Sequence, residues 1–489
     1  MRETSLRHPE RNSPHPSYPT ARSRRTRRAA DTLDSPAART TDKPQQATDS
    51  RRQPKQATDG HRDKPKTAAH KLHTSRRQAT PRRPPADNPR TPAHTSARQA
   101  AAGTTSPAIG GRCPRLDESL LDTPEALSEA DRRGLLRGAA EAGARVRTAA
   151  RHAAEAGVND LKPDGRPRAV LIAGPGAAAT HAADLLGTLA GPGSPVIRLA
   201  PTGVAPAAGA LRWELPGWAG SVDLLLIATP DGTEPGLSLL ADAAYRRGCT
   251  VVAVAPARTP LTEAVEGAHG FFVPMATAPY DQDEPLAASA PGVLWALLTP
   301  LLALLDRTGL LSAPADAIEK VADRLDQVAE RCGPAIATYS NPAKTLAAEL
   351  ADALPVVWTE GTSAGPAGRR FAAALAELSG TPAVVAELPE ALAAHSALLA
   401  GPLAASADPD DFFRDRVEEP PALHARVVLL RDRPIGGLTA APAARDLALS
   451  HDTPISELEP EEGGELETLA ELIAITDFAA VYLALASGA

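Results

Sequence analysis

From residue 116 onward the chain is punctuated by short runs of consecutive apolar residues rather than alternating ones. Runs over Ala169–Ala173, Val196–Leu199, Leu224–Ala228, Val251–Ala255 and Phe271–Val273 read as strands buried on both faces, because a half-solvated strand would alternate. Helical stretches between them, such as Ala177–Ala190 and Glu234–Arg247, supply the layers that cover a parallel sheet. Upstream, Ser128 with Asp131 three residues on has the form of a capping box before a long Ala/Leu/Arg helix ending near Gly157. Residues 293–332 predict two further helices. Asn341-Pro342-Ala343-Lys344 opens another, with Pro in the first turn, where no N–H is needed.

The pattern then repeats. Strands are predicted at Pro355–Thr359, Ala383–Glu387, Val427–Leu430 and Ile455–Leu458, with helices at Ala367–Leu378, Glu390–Leu399, Pro442–Ser450 and Glu465–Ala486. The expected architecture is two doubly wound, three-layer α/β domains, 116–305 and 341–489, joined by a helical linker over 306–340. Ligands of such sheets sit at the carboxyl ends of the strands, so the loops after Ala173, Ala228, Trp358, Ala386 and Leu430 are where chemistry is expected.

Charge changes the picture for the first 115 residues, which hold 25 Lys+Arg against 9 Asp+Glu, while the rest holds 27 against 50. Met1, Leu6, Tyr18, Leu33, Leu72 and Ile109 are the large apolar residues of that segment, too few to offset chain entropy, so a disordered Arg/Pro-rich tail is expected. Clustered arginines can bind nucleic acid, but no aromatic residues interleave them for base stacking, which favours a solvated extension; a misplaced translation start would account for them as well. Cys113, Cys249 and Cys332 are too few for a disulfide framework or a four-cysteine zinc site. The apolar run Val293–Leu305 carries Pro300 and falls short of the roughly 20 residues that cross a bilayer. A cytoplasmic protein without membrane partners is expected.

Gly174-Pro175-Gly176-Ala177-Ala178-Ala179-Thr180 lies between a strand and a helix, where backbone amides can hold a phosphate, although tight packing explains both glycines as well. Arg198 after the second strand could meet the extra phosphate of NADP, which keeps a nucleotide oxidoreductase open. In Thr229-Pro230-Asp231-Gly232-Thr233-Glu234, Thr233 can donate to a phosphate, while Asp231 and Glu234 repel one, and either Asp231 or Thr233 can serve as a helix cap. Gly361-Thr362-Ser363, within the loop after Trp358, offers two hydroxyls on a flexible backbone and reads as the better phosphate cradle. Beyond residue 115 the histidines are His152, His181, His269, His395, His424 and His451; none has HExxH spacing, and no GxSxG elbow occurs. Neither metal nor cofactor is implied. Proton transfer remains, with Glu377 and His395 both in a position to face a cleft.

Three segments, "NPAKTLAAELADALPVVW" (341–358), "LAELSGTPAVVAELPE" (375–390) and "ETLAELIAITDFAAVYLALASG" (467–488), resemble the bifunctional phosphoglucose/phosphomannose isomerases, which carry two sugar isomerase (SIS) domains. The resemblance implies SIS folds, a homodimer with the active site between subunits, and metal-free interconversion of aldose and ketose 6-phosphates through an enediol. It makes Glu377, ten residues before Glu387 of "ELPE", the match to the family's base, and His395 the counterpart of its ring-opening histidine. Gly174, Gly176, Thr233 and the Gly361-Thr362-Ser363 loop are then the expected phosphate contacts. The family's phosphate-binding Ser is Ala178 here, its enediolate-stabilising Arg aligns with Gly292, and its terminal Lys has no counterpart before Ala489. These departures leave two expectations: a divergent phosphosugar isomerase, or a non-catalytic SIS protein that senses a phosphorylated sugar.

Overall fold

The computed structural model describes residues 117–488, apart from 164, 204–207, 278–289, 402, 404–422 and 433–437. The described residues all fall within one compact unit, Gly103–Ala489; the tail predicted over 1–115 lies outside them.

Four short helices come first: α1 (Glu118–Leu121), α2 (Pro124–Ala130), α3 (Leu135–Ala140) and α4 (Ala142–Glu155). The single long helix expected here is therefore broken. Ser128 lies inside α2 and caps nothing; the cap is Asp131, whose carboxylate accepts the amides of Leu135 and Leu136 at 2.7 and 2.9 Å, while Gly134 at φ +63° turns the chain into α3.

Five parallel strands follow, β1 (Val170–Ala173), β2 (Val196–Leu199), β3 (Leu224–Ala228), β4 (Thr250–Ala255) and β5 (Phe271–Pro274), in the order β2-β1-β3-β4-β5. The crossovers run through α5 (Gly176–Ala190), α6 (Pro235–Arg246) and α7 (Pro260–Gly267). The strand runs are apolar at every position because both faces are covered: Val170 and Ile172 enter one core, Leu171 and Ala173 another. Helix α7, absent from the sequence reading, starts at a capping box in which Thr259 and Thr262 bond each other's backbone amides.

Helices α8 (Val293–Arg307), α9 (Ala315–Cys332) and α10 (Pro342–Glu349) lead to a second all-parallel sheet. Its strands are β6 (Ala353–Glu360), β7 (Val384–Glu387), β8 (His424–Arg431) and β9 (Ile455–Leu458), ordered β7-β6-β8-β9. Helices α11 (Ala364–Ala374), α12 (Glu390–Leu399), α13 (Ala441–Ser450) and α14 (Glu465–Ser487) cover it. The doubly wound α/β architecture is thus present twice. Val357 and Leu430 look into a core continuous with that of the first domain, and Val356 and Trp358 into a separate one under α12 and α13.

The segment 306–340 is more than a connector. Helix α9 packs on α4 and α14 together, and its Arg324 and Arg331 both reach the buried carboxylate of Glu471 on α14. At the start of α10, Lys344 is fully buried and donates to the carbonyls of Leu121, Pro334 and Ile336 at 2.5, 2.8 and 2.8 Å, pinning α1 and the end of the linker to the second domain. Helix α14 is the one helix among the described residues long and apolar enough to cross a bilayer, and 94% of its most apolar window is buried. Its apolar character all round is that of a helix surrounded by protein.

Candidate active site

Helix α11 does not end as an α-helix. It widens into a π-helical turn over Leu375–Ser379, which Gly380 closes in the left-handed conformation. Glu377 lies in that turn, exposed, with no hydrogen bond or ion pair among the described residues. Single π turns are rare and recur at functional sites, because the wider ring re-aims a side chain that a regular helix would hold elsewhere. Ten residues on, Glu387 ends β7 and accepts Arg369 Nη1 at 2.6 Å. Arg369 also clamps Asp184 of α5 through Nε and Nη2 at 2.7 and 2.9 Å, so this edge of the second domain is tied to the first.

His395 is in a different setting. It is buried on α12, stacks on Trp358 with ring centroids 6.5 Å apart, and its Nδ1 accepts the indole N–H at 2.9 Å. Indole can only donate, so Nδ1 carries the lone pair and the neutral ring has its proton on Nε2. Burial lowers its pKa, which keeps that neutral tautomer. Trp358 belongs to the outer core under α12, whereas Leu375 and Leu378, flanking Glu377, belong to the core on the opposite face of the sheet. One copy of the chain therefore holds Glu377 and His395 on opposite faces and does not bring them together.

The first-domain loops are tightly self-satisfied. A Cβ on Gly174 would lie 2.0 Å from the carbonyl oxygen of Ala228, so this glycine permits the loop to meet the end of β3. Gly176 is exposed at φ +71° as the first residue of α5. In the facing loop, buried Thr229 donates to Glu234 at 3.0 Å and accepts the amides of Asp231 and Gly232, while Thr233 donates to Asp231 at 2.7 Å. Burial pushes the Glu234 carboxyl above its usual range, against the hydrogen bonds that Thr229 and the backbone supply.

The strand order of the second sheet reverses between β6 and β8. Here a cleft of about 600 Å3 is lined by Thr359 to Thr362, Glu387 to Pro389 and Leu438 to Ala440. Gly361, at φ +102°, passes against Asp432, whose carboxylate takes the Ser363 amide at 3.3 Å. The buried hydroxyls of Thr359 and Ser363 have no partner among the described residues, and Thr362 bonds Glu465. Glu360 accepts Thr439 Oγ1, the Ala440 amide and Arg431. Burial would raise its pKa, and these donors outweigh it and hold the carboxyl below its usual range. Glu360, Glu387, Asp432 and Glu465 make the surroundings of Gly361-Thr362-Ser363 acidic, which suits hydroxyl or amine groups of a ligand better than a phosphate. Sequence reasoning gave no role to Glu360, Asp432, Glu465 or Arg369, nor to the indole of Trp358; an indole N–H in a buried strand is the one signal, since it demands an acceptor.

Among the described residues no group of three or more His, Cys, Asp or Glu side chains is arranged to hold a metal ion. No curated protein sequence matches the chain. A putative phosphosugar isomerase from Silicibacter pomeroyi is 18% identical, over 72% of this chain and 97% of its own, with a TM-score of 0.46. A glucose-6-phosphate isomerase like protein from Thermus thermophilus is 19% identical over 75% and 92%, with a TM-score of 0.41. Residues 339–489 match the family model of the bacterial phospho-glucose isomerase C-terminal SIS domain, the same stretch that carries the Asn341 to Lys344 turn, Glu377 and the "ELPE" segment. Residues 339–489 are thus similar to the C-terminal SIS domain of bacterial phospho-glucose isomerases.

Proposed function

We propose that the chain is a divergent phosphosugar isomerase that interconverts an aldose 6-phosphate (glucose or mannose) and fructose 6-phosphate in the cytoplasm. The observation that carries this reading is Glu377: an unpaired, exposed carboxylate in a π turn, ten residues before Glu387, inside the matched domain. A carboxylate left unpaired at a surface has no competing donor and is free to accept a proton. In the open-chain sugar, Glu377 takes the proton from C2 and returns it to C1, while the hydroxyl proton moves from O2 to O1 through the enediol. His395, neutral with its proton on Nε2, donates to the ring oxygen on opening, and the O1 hydroxyl gives up its proton in exchange.

Because Glu377 and His395 lie on opposite faces of one sheet, the reading needs a homodimer in which each centre takes Glu377 from one copy and His395 from the other. Replacing Glu377 by Gln should abolish turnover of fructose 6-phosphate, followed by NMR, while binding persists. Co-expression of Glu377→Gln with His395→Gln should restore about one quarter of wild-type activity, since half the dimers are mixed and each has one intact centre. Unchanged activity in Glu377→Gln removes this residue from the mechanism.

A second reading, a sensor that binds a phosphosugar without converting it, is favoured by the first-domain loop, where Thr229 and Thr233 already serve Glu234 and Asp231. Stabilisation by fructose 6-phosphate without any product would select it.

A further inference from the structure

Away from the strand ends, a cleft of about 480 Å3 lies between α5, the edge strand β2 and α11, lined by Thr180, His181, Asp184, Thr188, Arg198 and Arg369 among others. Its volume is in the range of small-molecule sites. His181 is 7% exposed, yet its ring makes no hydrogen bond among the described residues, and neither nitrogen is sealed from solvent. A side chain so buried, with a free polar edge on a cleft, is satisfied only by what enters the cleft.

The groups around it set the kind of ligand. Arg198 projects from β2 with no ion pair or hydrogen bond among the described residues. On α11, Arg369 spends Nε and one N–H of each terminal nitrogen on Asp184 and Glu387, which leaves two N–H groups unused. Arg370, also on α11, is neutralised by a buried bidentate pair with Asp477 of α14, and Asp184 of α5 by Arg369. Arg369 is shared by two carboxylates, Asp184 and Glu387, so that trio carries a net −1 that Arg198 offsets, and Arg198 is the guanidinium of the cleft without a partner among the described residues, beside the unpartnered ring of His181. Guanidinium and imidazole N–H donors converging on one cleft match the oxygens of a phosphate.

We propose that this cleft binds a small organic phosphate through Arg198, Arg369 and His181, at a site separate from the Glu377 and His395 centre. Since α5 belongs to the first domain and α11 to the second, an occupant is held by both. His181 also stands in the repulsive field of Arg370, Arg198 and Arg369, so a bound dianion draws a proton onto its ring, and binding tightens as the pH falls.

The test uses the full chain, inorganic phosphate as probe and chloride at matched ionic strength as control. Histidine Cε1–H signals are followed by NMR, with the His181 signal identified by its loss in His181→Gln. Phosphate should move that signal, and bind about ten-fold more weakly to Arg198→Gln, whose exposed side chain carries no packing role. Affinity in the wild type should be higher at pH 6 than at pH 8, and His181→Gln should flatten that dependence. A His181 signal that phosphate leaves in place, or equal affinity in Arg198→Gln, would overturn the proposal, as would phosphate acting no differently from chloride.

Discussion

His181 should make the fold sensitive to mild acid. Its ring is nearly fully buried, and burial together with the guanidinium groups of Arg370, Arg198 and Arg369 pushes its pKa down to about 3, against 6.5 for an exposed histidine. Between these two values the unfolded chain binds a proton that the folded chain refuses, so unfolding is favoured by the proton it takes up. The contribution of His181 to stability is fully present above pH 6.5 and is lost progressively as the pH falls toward 3. At pH 5 the loss is about 2 kcal/mol, and by pH 3 it reaches about 4 kcal/mol. Other groups titrate over the same range, so the measurement is a difference: urea unfolding followed by circular dichroism at pH 7.5, 6 and 5, for wild type and His181→Gln, in phosphate-free buffer. The variant should lose some packing stability at pH 7.5 and recover about 2 kcal/mol relative to wild type at pH 5. Stability curves that stay parallel across this range would refute the reasoning, since the histidine would then titrate alike in both states.

Two further perturbations probe buried polar contacts. The Arg370 and Asp477 pair is nearly solvent-free, with Nε to Oδ1 at 2.9 Å and Nη2 to Oδ2 at 2.7 Å. Asp477→Leu alone should cost about 3–5 kcal/mol in chemical denaturation by stranding a charge, whereas Arg370→Met combined with Asp477→Leu should return to within about 1 kcal/mol of wild type; additive losses would mean that the two groups are not coupled and would refute this. Trp358→Phe removes the N–H that His395 Nδ1 accepts. It should cost about 1–3 kcal/mol and, if His395 opens the sugar ring, should slow turnover of cyclic substrate more than that of the open-chain form; equal slowing of both would separate His395 from ring opening.

The strands were legible along the chain for one physical reason: parallel sheets covered on both faces need apolar side chains at every position, and Val170 to Ala173 or Val427 to Leu430 satisfy both cores at once. Helix ends were less legible. The chain breaks between Asp131 and Gly134 because a carboxylate caps two amides there, while composition alone reads as one continuous helix. The short α7 is set by Thr259 and Thr262, too local a signal to outweigh its few apolar residues.

The spacing from Glu377 to Glu387 is a property of the sequence, and so is the match of residues 339–489 to the model of a SIS domain. The neighbours of each group are not. His395 meets Trp358 across 37 residues, Arg370 meets Asp477 across 107, and Arg369 meets Asp184 across 185, distances over which local periodicity carries no information. The chain thus determined by itself which segments become strands and which carboxylate resembles a base, because burial on two faces and fixed spacing are local constraints. Tertiary structure alone decided that Glu377 and His395 occupy opposite faces of one sheet, that Thr229 is taken up by Glu234, and that His181 is left beside three guanidinium groups, because the packing of the helices against the sheets selects which long-range pairs touch.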